Sequence, residues 1–158
     1  VMLASGVPIT AQSMGIMLCG TVLGAKRGAL AVLLFIALTA LGLPLLSGGR
    51  GGLGIFASPS VGFIVGFPLA AYVAGLITTK LKMVKIFYSS LLGAIIGGIF
   101  VLYIPGIIGM SIILGKSISE AMVIALIYLP GDLIKAFLCA TLTQTLFKLR
   151  PADVLSRS

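Results

Sequence analysis

Asp132 and Lys135 are the residues in this sequence best placed to do chemistry. They are three positions apart, so their side chains share one face if the segment is helical. The preceding residues read Tyr-Leu-Pro-Gly, which predicts a break and then a new helix with the proline and Asp132 in its first turn. A charge inside a membrane segment costs roughly 2.5–3.5 kcal/mol. We therefore predict a functional site that faces the interior of a helix bundle; the alternative is an ion pair that only fixes helix rotation.

Arg50 is the second candidate, because it lies in the glycine-rich stretch Ser47 to Gly54. The glycines around it let the backbone fold closely and approach a ligand. A solvated loop arginine is the alternative. Thr10 and Gln12 lie near the start of the first apolar segment. They either cap a helix or face a pocket.

Together these residues predict an outward-facing cavity with one carboxylate, two cations and several neutral hydrogen-bonding groups. The aromatic residues available for its walls are Phe63, Phe67, Tyr72, Tyr103 and Tyr128. Such a cavity suits a small organic acid that also has N–H groups, because Asp132 could accept hydrogen bonds from them. The sequence has no histidine and three carboxylate side chains in total. We therefore expect no metal site, no resident cofactor and no catalytic residue.

The composition predicts an all-α integral membrane protein. Apolar residues make up 59% of the 158 residues and charged residues 9%, whereas soluble domains have about 25% charged residues. A soluble domain of this size could not bury so much apolar surface, and intrinsic disorder requires low hydropathy with high charge. The long uncharged runs show no strand alternation and are each long enough to cross about 30 Å of hydrocarbon.

We predict one integral membrane domain over residues 1–158. Its spans are expected at roughly 9–25, 27–46, 61–79, 86–104 and 129–148. Most basic residues fall on one side of such a bundle: Lys26, Arg27, Lys80, Lys82, Lys85, Lys148, Arg150 and Arg157. The positive-inside rule makes this side cytoplasmic, so the C-terminus is expected inside.

The start of the sequence is apolar but too short to span a membrane. We expect an N-terminal helix to precede it, which would give six spans with both ends inside. A cleaved signal peptide is the alternative.

Small residues recur four positions apart along the predicted helices. The pairs are Gly62 and Gly66, Ala70 and Ala74, Gly93 and Gly97, Ala94 and Gly98, and Ala136 and Ala140. Residues at this spacing share a helix face, and small side chains let helix backbones approach closely. The pattern predicts tight packing within one bundle; the alternative is a face that docks on a partner.

Several stretches of the sequence closely resemble the BioY family, the biotin-specific S-components of energy-coupling factor (ECF) transporters. The matching stretches are 7–12 (Val-Pro-Ile-Thr-Ala-Gln), 23–30, 48–54 with Pro59, Gly62-Phe63, Gly66-Phe67 and Ala70-Ala71, and 129–135 (Leu-Pro-Gly-Asp-Leu-Ile-Lys). The glycine-rich block followed by Pro-Gly-Asp-x-x-Lys is the specific part of this resemblance.

The resemblance implies a six-helix S-component bundle that captures biotin, with about five helices present in this sequence. It implies that Asp132 accepts from the ureido ring and that Lys135 binds the carboxylate or organises the site. Arg50 would bind the valerate carboxylate, and Thr10 and Gln12 would lie in the loop that lines and gates the pocket.

The resemblance also implies a location and partners. The chain would be a multi-pass protein of a bacterial-type plasma membrane that hands biotin inward with a T-component and two ATPase subunits, which would hydrolyse the ATP. The family's small-residue contact for the T-component lies on the first helix, which we expect to precede this sequence.

Three alternatives stay open from the sequence. The chain could be an S-component relative for another small carboxylate-bearing vitamin or precursor. It could be a structural membrane subunit that binds nothing, which would leave Arg50, Asp132 and Lys135 unexplained. An enzyme that uses Asp132 as a base is the least favoured reading.

Overall fold

The computed structural model describes residues 10–158, and most of that part of the chain is helical. Its α-helices are α1 (Gln12–Leu23), α2 (Ala25–Ala40), α3 (Val61–Lys80), α4 (Ile86–Ile95), α5 (Leu102–Leu114), α6 (Ile118–Leu126) and α7 (Leu129–Leu149). The π-helical segment Ile96–Val101 joins α4 and α5 into one continuous helix. Residues 10–158 contain no strand longer than an isolated bridge between Leu46 and Arg50. The all-α prediction is thus confirmed, while residues 7–9 of the predicted motif lie outside the described residues.

The helices differ in extent from the predicted spans. α2 ends at Ala40 and not near residue 46, because Gly42 adopts a φ of 115° and Pro44 follows it. The helix that begins at Ile86 continues to Leu114, well beyond the predicted end near residue 104. α6 was not predicted, and α7 follows it at a bend of 53°. Hydropathy marks apolar segments but not the turns within them, which explains these differences.

Within residues 10–158, two helices are long and apolar enough to cross a membrane, namely Val61–Lys80 and Ile86–Leu114, with mean hydropathies of 2.0 and 2.4. The bent pair of α6 and α7 makes a third if it is one span. α1 and α2 have 12 and 16 residues, fewer than the roughly 20 that a straight crossing needs. Five spans therefore stay a prediction.

α3 lies at the centre of the bundle and packs against α1, α2, α4 and α5. Glycines make these contacts close. A Cβ atom on Gly97 would lie 2.6 Å from the carbonyl oxygen of Ala70 on α3, and one on Gly62 of α3 would overlap the carbonyl of Pro105 on α5. These small-residue faces are occupied by contacts within this chain, which agrees with the predicted tight packing.

The loop between α2 and α3, residues 41–60, carries Arg50 and depends on glycine to fold. Gly48, Gly49 and Gly52 have φ angles of 80°, 72° and 83°, a left-handed conformation that other residues rarely adopt. A Cβ atom on Gly51 would overlap the carbonyl of Leu43. The glycines therefore allow the tight folding that was predicted around Arg50.

The C-terminal residues fold back onto the end of the bundle where α3 ends. The Nη atoms of Arg157 donate at 2.5–3.1 Å to the carbonyl oxygens of Leu81, Lys82 and Val84 and to Oγ of Ser89. The hydroxyl of Ser156 donates to the carbonyl of Thr21 on α1. Arg157 thus provides donors for backbone carbonyls that have no helical partner after α3 ends.

Gly97→Ala should destabilise the protein, because its methyl group would press on the backbone of α3. Forcing extra atoms into a packed interior costs about 1–3 kcal/mol, so the midpoint of thermal unfolding in detergent should fall. Gly15→Ala is the matched control, since a Cβ atom on Gly15 of α1 has nothing within 4 Å. Equal midpoints for the two variants would contradict the proposed packing role of Gly97.

Arg157→Gln should also lower the unfolding midpoint, because it removes most of the donors that bind the turn after α3. Hydrogen bonds to charged groups contribute about 1.5–3 kcal/mol in favourable cases. Arg27→Gln is the matched control, because Arg27 is an exposed arginine at the start of α2. The proposed role of Arg157 fails if both variants unfold at the temperature of the parent.

Candidate functional site

The residues predicted to form a site all line one cavity. Thr10 and Gln12 reach it from the start of α1, Arg50 from the loop 41–60, and Asp132 and Lys135 from the start of α7. The cavity holds about 590 Å³ of empty space, its open mouth included. Its apolar wall is made by α3 and α5, through Phe63, Ile64, Phe67 and Leu102. Tyr72, which the sequence offered as a wall residue, is not among the lining residues.

Asp132 and Lys135 form an ion pair in the lining of the cavity. Nζ of Lys135 lies 3.0 Å from Oδ1 of Asp132, and their side chains are 18% and 8% exposed. α7 begins at Leu129 with Pro130 in its first turn, as predicted, so Asp132 lies near the positive end of the helix dipole. The two side chains therefore share one face of α7 and point into the same cavity.

Ser13 on α1 completes this contact and was missed in the sequence. Its hydroxyl donates to Oδ1 of Asp132 at 3.2 Å, and Nζ of Lys135 donates to the Ser13 oxygen at 3.2 Å. Ser13 directly follows Gln12, but the sequence carries no sign of its partners because they lie on another helix. The three side chains form a closed triangle of hydrogen bonds that joins α1 to α7.

Tyr103 on α5 makes the third contact with Asp132. Its hydroxyl donates to Oδ2 at 2.5 Å, and its ring packs edge-on against Phe63 of α3 with centroids 6.1 Å apart. The sequence placed Tyr103 only among possible wall residues. The structure places it as a polar partner of the carboxylate, so three helices meet at Asp132.

Arg50 and Gln12 provide further donors for the cavity. The Nε atom of Arg50 donates to the carbonyl of Ser47 at 3.1 Å, and within residues 10–158 no carboxylate lies in ion-pair range of its guanidinium. The Nε2 atom of Gln12 is buried and has no hydrogen-bond partner in the part of the chain that the structure describes. These donors are free to bind an anionic or carbonyl oxygen.

Thr10 combines both roles that its position allowed. Its hydroxyl oxygen accepts from the backbone N–H of Gln12 at 3.2 Å, which helps to begin α1, and the residue also lines the cavity.

The cavity is therefore lined by one hydrogen-bond acceptor with a negative charge and by two cationic donors. Asp132 is its only carboxylate lining residue among those described, and Lys135 and Arg50 are its cations. No cluster of three or more metal-ligating side chains occurs within residues 10–158. The arrangement can accept a hydrogen bond from an N–H group, donate to oxygen atoms and hold an apolar body against the wall formed by α3 and α5.

The chain is similar to a family of membrane transporters over almost its whole length. The model of the BioY family matches residues 1–152. The Biotin transporter BioY of Rhodobacter capsulatus is 44% identical over 164 residues, which cover 98% of this chain and 86% of that protein. The Biotin transporter BioY of Rhizobium etli is 47% identical over 145 residues, with coverage of 86% and 75%.

The fold is also similar to a solved structure, the S-component for biotin from an ECF-type ABC transporter. The TM-score is 0.85 at 33% sequence identity, and the match covers 90% of this chain and 76% of the other. The sequence, the helical architecture and the membrane character of the helices agree on one assignment: this chain belongs to the BioY family.

Proposed function

We propose that this chain is a biotin-binding S-component that takes part in biotin uptake, and that it is a binding subunit and not an enzyme. The observation that carries the proposal is that Asp132, Lys135 and Arg50 line one cavity, with Asp132 and Lys135 paired and Arg50 as a separate cation. Relatives named Biotin transporter BioY and the matched S-component for biotin support the choice of ligand.

The cavity offers complementary groups for both ends of biotin. Asp132 would accept an N–H of the ureido ring, and the apolar wall formed by Phe63 and Phe67 would contact the ring and chain carbons. Because Lys135 is already paired with Asp132 at 3.0 Å, the geometry favours its role as an organiser of the ureido site over a role in carboxylate binding.

Arg50 is then the cation for the valerate carboxylate. Its Nη atoms can present a fork of N–H donors to both carboxylate oxygens. Gln12 lies on the same cavity with a buried, unpaired amide nitrogen and would add a further donor.

Transport would require partner subunits. We propose that a T-component and two ATPase subunits drive the inward transfer of biotin, as in ECF-type transporters. The basic residues at the ends of α3 and α7 support a cytoplasmic position for the C-terminus in a bacterial-type plasma membrane.

Calorimetry of the detergent-purified protein should show stoichiometric biotin binding without ATP. Asp132→Asn and Lys135→Ala should each weaken binding by about ten- to hundredfold, because each leaves a charged partner with fewer hydrogen bonds. Lys116→Gln is the control, since Lys116 is an exposed cation outside the cavity.

Competition with dethiobiotin, lipoate and thiamine in the same assay tests the alternative that the chain is an S-component for another substrate. Tighter binding of one of these compounds than of biotin would favour that alternative. Absence of biotin binding by the folded parent would refute the proposed function. Unchanged binding in both Asp132→Asn and Lys135→Ala would refute the site assignment.

Arg50→Gln should reduce discrimination between biotin and its uncharged amide. The parent should prefer biotin because the carboxylate pairs with the guanidinium, and the variant should lose about tenfold of that preference while its affinity for the amide changes little. The measurement is the dissociation constant of biotin and of biotin amide, by calorimetry, for both the parent and Arg50→Gln. An equal loss for biotin and the amide would exclude Arg50 as the carboxylate partner.

A further inference from the structure

We infer that Tyr103 is a positioning residue that holds the Asp132 carboxylate and leaves one site on Oδ2 for a ligand N–H. The inference rests on the proposed function for the identity of the ligand. The contact itself is part of the structure, in which the Tyr103 hydroxyl donates to Oδ2 at 2.5 Å.

The hydrogen-bonding capacity of Asp132 is almost filled by the protein. Its Oδ1 atom accepts from Lys135 at 3.0 Å and from Ser13 at 3.2 Å, and its Oδ2 atom accepts from Tyr103. A carboxylate has about four lone-pair positions, so the side chains within residues 10–158 leave one position open, on Oδ2. Asp132 is therefore arranged to accept one N–H of a cyclic urea and not both.

Lys135 likewise has one N–H donor that the described part of the chain leaves without a partner. An ammonium group has three donors, and Nζ uses one toward Asp132 and one toward Ser13. The remaining donor is on Nζ, 3.0 Å from Oδ1 of the same carboxylate whose Oδ2 atom has the remaining acceptor position. Together they fit one edge of a ureido ring, where an N–H group stands next to the carbonyl oxygen.

The surrounding helices hold Tyr103 in place. Tyr103 is 9% exposed, and its ring makes an edge-to-face contact with the ring of Phe63. Phe63 is itself held close to α5, because a Cβ atom on Gly106 would overlap its ring. The π-helical segment Ile96–Val101 ends two residues before Tyr103 on the same helix. One extra residue in a helical turn rotates the following side chains by about 100°, so this segment helps to set the direction in which Tyr103 points.

Tyr103→Phe tests the inference, because it removes the hydroxyl and keeps the ring that packs on Phe63. We expect the biotin dissociation constant to rise about tenfold, since the carboxylate loses a charge-assisted hydrogen bond that fixes its orientation. Tyr72→Phe is the matched control, because Tyr72 is 38% exposed and lies outside the cavity.

A double-mutant cycle separates positioning from direct contact with the ligand or from general packing. If Tyr103 acts through Asp132, Tyr103→Phe should weaken binding less than about threefold in the Asp132→Asn background, because the two effects are coupled. The same loss in both backgrounds would overturn the inference, and so would parent-like binding by Tyr103→Phe.

Fluorine NMR provides a measurement that does not depend on biotin binding. The sequence has four tyrosines, so protein labelled with 3-fluorotyrosine should give four resonances that Tyr→Phe variants assign. Asp132→Asn should shift the Tyr103 resonance and leave that of Tyr72 in place. An unmoved Tyr103 resonance would overturn the inference even if the parent bound no biotin, whereas failure of the parent to bind would refute the proposed function alone.

Discussion

The buried contact between Asp132 and Lys135 is the constraint on which the architecture of the cavity depends. Two charges removed from water are costly unless each keeps several hydrogen-bonding partners. Here the additional partners come from Ser13 on α1 and Tyr103 on α5. α1, α5 and α7 must therefore meet at one point, and moving any one of them away would leave a buried charge with fewer partners.

The packing around α3 makes that meeting possible. Glycines such as Gly62 and Gly97 let the helix that contains α5 lie directly against the backbone of α3. This close approach brings Tyr103 toward the start of α7. The bend of 53° before α7 has a related effect, because it creates a new helix start inside the bundle, where the helix dipole favours the carboxylate of Asp132.

Local patterns in the sequence were sufficient to find the charged residues of the site but not their partners. Asp132 and Lys135 could be predicted because their spacing places them on one helix face and because charges are costly in an apolar segment. Ser13 and Tyr103 lie 119 and 29 positions from Asp132, so no local pattern relates them to it. Tyr103 and Tyr72 both lie in long apolar segments, so the sequence does not distinguish their roles. The π-helical segment before Tyr103 is as apolar as the helices on either side, so hydropathy does not reveal it. The same limit explains why α6 and the early end of α2 were not predicted.

Two groups of polar side chains in the cavity differ in how many hydrogen bonds the protein itself gives them, which bears on how a ligand would be selected. At Asp132 the protein itself supplies most hydrogen bonds, so the carboxylate is oriented before any ligand arrives. At Arg50 the guanidinium is held through Nε by the carbonyl of Ser47, and the amide nitrogen of Gln12 still has no partner among the described residues. Preorganised groups add affinity because little ordering remains to be done on binding. Under the proposed function, the ring of biotin would therefore meet a network that is already hydrogen-bonded, whereas its carboxylate would accept hydrogen bonds from Arg50 and from the amide nitrogen of Gln12.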